Sequence, residues 1–190
     1  MKRRQAFEKL QIICERLDEI NTTKLFIIPV KLYLFGSLLT NKPNPADVDL
    51  LLEFKYKDIN NVLYRISYDK VLPEQQVAKY LKNRMRNIHL EFLELTNSNL
   101  NDWLSEHCMP LNTLMKEIWN ENLNWRKALT EAENNPICYD ADLEQQQKYV
   151  QKELKTIIKN KGEQAARDWF KKYGRNIRIN IKQEKHVHGT

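Results

Sequence analysis

A chain of 190 residues and 22.8 kDa can hold one core with an appendage, but not two large domains. With 42% hydrophobic and 29% charged residues it lies outside the composition of disordered chains, and no apolar run reaches the length of a membrane span. A formal charge of +6 suits a polyanionic partner such as a nucleotide or RNA without requiring one, while the scattered Cys14, Cys108 and Cys138 and the opening MKRRQAFEKLQIICERL, unlike a signal peptide, point to reduced thiols and a cytoplasmic protein.

Ala6, Phe7, Leu10, Ile13, Cys14, Leu17 and Ile20 recur every three or four residues and predict an amphipathic helix over Arg3 to Ile20. Lys24 to Phe35 is rich in β-formers, but Pro29 divides it, so a strand is expected over Lys31 to Phe35. Gly36 breaks that strand, and the turn-rich TNKPNPA follows. Asp47 to Phe54 reads as a second strand, apolar through Leu50, Leu51 and Leu52 as a buried sheet position demands, and the two strands are expected to pair. Asp58 to Val71 and Glu74 to Asn87 predict helices, with Pro73 suited to the first turn of the second. Ile88 to Leu95 predicts a third strand.

From residue 98 onward the pattern is helical. Thr96 or Asn97 is the expected cap; Leu100, Trp103 and Leu104 form one amphipathic set, Leu111, Leu114, Met115, Ile118 and Trp119 a second, and Leu123 to Glu133 a third, punctuated by Pro110 and Pro136. Leu143 to Tyr173 reads as a charged helical stretch broken at Gly162 and stopped at Gly174. NIRINIK alternates Ile177, Ile179 and Ile181 with polar residues and predicts a short terminal strand, followed by a loose tail. The expected organisation is an α/β (α+β) core over residues 1–97, a small mixed β-sheet flanked by helices, with a helical C-terminal extension over residues 98–190.

Chemistry concentrates in Leu32 to Phe54. Alternation along a strand places Asp47 and Asp49 on one face, where two carboxylates repel unless something positive lies between them. A divalent cation answers that need, and hard oxygen ligands suit Mg2+ or Mn2+, which complete their shells with water and phosphate oxygens. The Gly36-Ser37 turn offers phosphate a place: glycine lets it approach the backbone, and Ser37 offers its hydroxyl and neighbouring N–H groups, with a helical dipole added if a short helix starts there.

Phe35-Gly36-Ser37, nine residues, then Asp47-Val48-Asp49-Leu50 resembles the signature of the polymerase-beta-like nucleotidyltransferase superfamily. That family carries a third carboxylate on a later strand; Leu90-Glu91-Phe92 matches it, and Glu94, on the opposite face of a regular strand, is the fallback. The resemblance covers about Leu32 to Leu95. It implies the nucleotidyltransferase fold and in-line attack of an acceptor hydroxyl of a protein or RNA on the α-phosphate of a nucleoside triphosphate, releasing pyrophosphate and transferring AMP from ATP by default. Asp47, Asp49 and Glu91 would hold metal, Gly36 and Ser37 the β/γ-phosphates, and Lys42 would add charge. Short members of the superfamily include antitoxin-type enzymes that adenylylate a partner toxin. The motif does not separate them from members acting on small molecules such as antibiotics, nor from a non-catalytic module of the same fold that binds a protein or RNA. Two departures stand out: TNKPNPA has two prolines and no arginine, and the third carboxylate is Glu rather than Asp.

Other constellations carry less. Arg84 and His89 have the Arg-x4-His spacing of a class of helical ribonucleases, but His89 falls where a strand begins. His186 and His188 are a tail pair with no third ligand, and Trp103, Trp119, Trp125 and Trp169 suit core or interface positions better than base stacking.

Overall fold

The computed structural model describes residues 1–20, 23, 25–42, 44–57, 72–95, 99–106, 115–137 and 141–174. The predicted helix over Asp58 to Val71, the terminal strand, and His186 and His188 lie outside them. The chain divides into two units, residues 1–98 with 114–138, and residues 99–113 with 139–190. Among the described residues no helix is long and apolar enough to cross a membrane.

The first unit is built on α1 (Arg3–Glu19), whose buried stripe Ala6, Phe7, Leu10, Ile13, Cys14 and Leu17 follows the predicted period. The larger of these side chains stabilise the fold by about 1.5–3 kcal/mol each when fully buried. They pack on one face of a mixed sheet of order β3-β2-β1-β4, where β1 is Ile27–Phe35, β2 Val48–Tyr56, β3 Ile88–Glu94 and β4 Met115–Asn120. The pairs β1·β2 and β1·β4 are antiparallel and β2·β3 is parallel. Helices α2 (Pro73–Lys82) and α4 (Trp125–Asn134) add Val77, Leu81, Trp125, Leu129 and Ala132 to the same core. Trp119 and Trp125 sit there as anchors, each indole N–H donating to one oxygen of Asp18 at 2.8 Å.

Three expectations need correction. β1 runs through Pro29 and starts at Ile27; a bulge lies between Pro29 and Lys31, and β4 pairs only from Lys31, so the missing N–H of Pro29 costs no bond to β4. Helix α2 ends at Lys82 rather than Asn87, because Asn83 takes the left-handed conformation, φ 34°, and its N–H closes on Lys79. Met115, Ile118 and Trp119 belong to a strand, β4, not a helix. Its register shifts between Trp119, opposite Leu32, and Glu117, opposite Tyr33; the extra residue Ile118 buries beside Trp119 and breaks the alternation that would have announced a strand. Residues 114–138 therefore return to the first unit after an excursion.

In the second unit, α3 (Leu100–Glu106) opens on Asn99, whose Oδ1 accepts the N–H groups of Asn101 and Asp102. Helices α5 (Ala141–Lys161) and α6 (Glu163–Trp169) break at Gly162, φ +86°, and pack through Val150, Leu154 and Ile157 against Ala166, Trp169 and Phe170. A π-type turn, Phe170–Gly174, follows.

Candidate active site

Directly paired residues of a sheet share a face. The pairs Phe35–Asp49, Tyr33–Leu51 and Lys31–Glu53 on one side of β2, and Asp49–His89 and Leu51–Glu91 on the other, place Asp49, His89 and Glu91 on the face opposite α1. Glu94, opposite Phe54, belongs to the helix-covered face, which removes it as an alternative ligand. Asp47 lies just outside β2, half-buried, and Lys42 lies in the loop between turn and strand, its N–H on Thr40 Oγ1.

Phe35 delivers the chain into a single 3-10 turn, Gly36–Leu39. Gly36 has φ +76°, and a Cβ there would fall 2.3 Å from Asp49 Oδ2, so turn and carboxylate are packed as closely as glycine permits. Ser37 accepts at its carbonyl from the N–H and Oγ1 of Thr40, which ends the turn. One guanidinium secures it from below: Arg3 donates to the carbonyls of Leu38 (2.8 Å), Thr40 (2.5 Å) and Ala132 (3.1 Å). Asn41 and Ile137 complete the support, the Asn41 N–H on Ile137 O and the Ile137 N–H on Leu39 O.

Burial, and then the neighbouring charge of Asp47, push the Asp49 carboxyl up to about 6, while His89 pulls it the other way. His89 bridges the carboxylates, with Nε2 3.0 Å from Glu91 Oε1 and Nδ1 3.6 Å from Asp49 Oδ1. Among the described residues no three His, Cys, Asp or Glu side chains are so placed as to hold a metal ion. The donor chemistry nevertheless fits a hard divalent cation: carboxylates of one face, one of them short of positive charge, packed against the Gly36 turn. His89 is the site residue that its ribonuclease-like spacing concealed; the signal was its position two before Glu91 on a strand. Arg84 lies in the preceding turn at φ 68° and shares no helix with it.

The same face continues in a polar cluster. Glu53 is buried, and burial raises its proton affinity against the opposing pull of Lys31 and Tyr33. Lys31 Nζ lies 3.6 Å from Glu117 Oε2 on β4. Glu53 was hidden in the sequence by the apolar run before it, although period two from Asp49 leads to it.

A family model described as "Family of unknown function (DUF6932)" matches residues 1–178, across both units. No curated protein matches the chain.

Proposed function

The chain belongs to the DUF6932 family, whose function is unknown, and from the geometry of its sheet face we propose that it is a metal-dependent nucleotidyltransferase, moving AMP from ATP to a hydroxyl of a protein or RNA with release of pyrophosphate. The observation that carries this reading is the close approach of Gly36 to Asp49, which joins the two halves of the Gly-Ser and Asp-x-Asp pattern in space.

Asp47, Asp49 and Glu91 would hold Mg2+ or Mn2+. A bound divalent ion supplies charge neutralisation at the transferring phosphate and lowers the proton affinity of oxygens near it. The chain's own part is positioning. Gly36, without a side chain, lets the Asp49 carboxylate lie against the turn whose N–H groups would meet the β/γ-phosphates, and Ser37 would offer a hydroxyl donor beside them. Lys42, in the loop that follows, adds a cation to the triphosphate end. Arg3 fixes the carbonyls at the end of the turn and so holds its N–H groups in place. His89 marks the point between Asp49 and Glu91 where positive charge is favourable. Glu91, half-exposed on the same face, would take the acceptor's proton.

The test incubates the protein with ATP labelled at the α- or the γ-phosphate, Mg2+ or Mn2+, and lysate. Label from the α-position should appear on a macromolecule, label from the γ-position should not, and Asp47→Ala/Asp49→Ala should abolish transfer. Equal labelling by parent and variant would defeat the reading and favour a non-catalytic binding module. Label confined to small molecules would move the acceptor to that class.

A further inference from the structure

The chain's charge is concentrated toward one end of its sequence. Residues 139–190 hold twelve Lys and Arg against seven Asp and Glu, whereas residues 1–138 hold nineteen against eighteen. Such asymmetry is a property of chains that meet polyanions with one region. Several described cations of the first unit are engaged within it. In the first unit, Arg3, Lys9 and Arg16 donate to backbone carbonyls, Lys31 and Lys116 pair with Glu117 and Glu131, and Arg126 lies 4.0 Å over the Trp125 ring. They are structural.

Helix α5 is otherwise. Lys148, Lys152, Lys155 and Lys159 recur at intervals of four, three and four, which aligns them on one face. With Gln151 and Thr156 they line an open groove of about 380 Å3. The opposite face carries Val150, Leu154 and Ile157, which pack on Ala166 and Phe170, so the lysine face is turned outward by the burial of its back. All four lysines are exposed, and the side chains of Lys152, Lys155 and Lys159 form no ion pair with a described carboxylate. Glu153, the one acid between Lys148 and Lys159, lies about 140° around the helix from Lys148.

We propose that this face of α5 binds the phosphodiester backbone of single-stranded RNA. The row spans about 16 Å, the length of roughly five stacked nucleotides. Lysines spaced along a line suit successive phosphates, and the Gln151 amide and Thr156 hydroxyl can donate to and accept from ribose 2′-hydroxyls. A protein partner would call for buried aromatic or aliphatic anchors, and all six groove residues are polar. Binding here needs neither Asp49 nor a triphosphate, so it stands or falls apart from the transfer reaction.

The experiment titrates the full chain into a fluorescein-labelled, mixed-sequence 12-nucleotide RNA and follows anisotropy between 50 and 200 mM salt. For four phosphate contacts at a slope of about 0.7 each, affinity should fall about 50-fold across that range. Changing all four lysines to Gln should weaken binding at least about tenfold at 50 mM salt and flatten the slope, with circular dichroism unchanged. Changing all four to Arg should restore it, and Asp49→Asn should bind as the parent does. No binding by the parent, or a Gln variant that binds equally, overturns the proposal. So does tighter binding of DNA of the same sequence, or of a polyglutamate peptide, the latter pointing to an acidic protein instead.

Discussion

The two faces of one sheet divide the labour of this molecule. Leu50 and Asp49 are neighbours on β2, yet Leu50 is wholly buried in the core beneath α1 while Asp49 lies opposite, beside Gly36, with His89 between it and Glu91. The first face is apolar from Leu32 and Leu34 through Leu52 and Leu90, closed by the edge contact of Phe54 with Phe92 at 6.0 Å. The second gathers Asp49, Glu53, Lys31, Tyr33 and Glu117, and burial raises the proton affinity of both Asp49 and Glu53. One face is apolar over that stretch, whereas the other sets the buried Phe35, Leu51 and Leu93 among polar groups whose desolvation opposes folding. A rigid strand can hold strained chemistry because its reverse side supplies the stability.

That division is open to direct attack. Leu50→Ala should lower the unfolding free energy by about 2–5 kcal/mol in urea titration while leaving labelling per folded molecule near the parent's; a loss under about 1 kcal/mol would mean that the helix-covered face is not the stabilising one. Asp49→Asn should act in the opposite direction. The Asp49 carboxyl is held at about 6 against an ordinary 3.8, so the folded chain keeps a proton that the unfolded chain releases. Its contribution therefore destabilises progressively as pH rises from about 4 through 6, by about 2–3 kcal/mol in all, and is level above that. Asn removes this slope, making the variant more stable than the parent at pH 7.5 and nearly equal to it at pH 4; a parent more stable than the variant at pH 7.5 would refute the sign. Gly36→Ala should have the smallest effect on stability, about 1–2 kcal/mol from a left-handed alanine, with a larger effect on transfer as Asp49 is pushed aside. Labelling by that variant at the parent's rate would separate the turn from the reaction.

Much of this was legible where hydrophobic period and backbone agree. The stripe of α1 and the run before Phe54 gave helix and strand because nothing local disturbed them. Disagreement appears where one residue shifts the register. Ile118 in its bulge buries two neighbours in succession and makes β4 look helical, and Asn83 in a left-handed turn cuts α2 five residues short of Asn87. In the site, Asp49 and Glu91 were found through their apolar neighbours, while His89 and Glu53 were not, since a polar residue on a strand declares its partners only once the pairing of β2 with β3 and β1 is known. Asp47 illustrates the limit of alternation: it precedes the strand it was assigned to, and reaches Asp49 by its charge.

The support beneath the Gly36–Leu39 turn also has a bearing on the order of folding. Its motif residues are early in the chain, but two of the groups that hold it, the carbonyl of Ala132 on Arg3 and the backbone of Ile137 on Leu39 and Asn41, come about a hundred residues later. At typical rates of synthesis that separation lasts about 5–20 s, during which β1 and β2 can pair while the edge of β1 that β4 will cover stands open. The last of the described strands, β4, therefore does two things at once, closing an adhesive edge and preceding the segment that locks the turn, so a nascent chain gains its site only as that edge is covered.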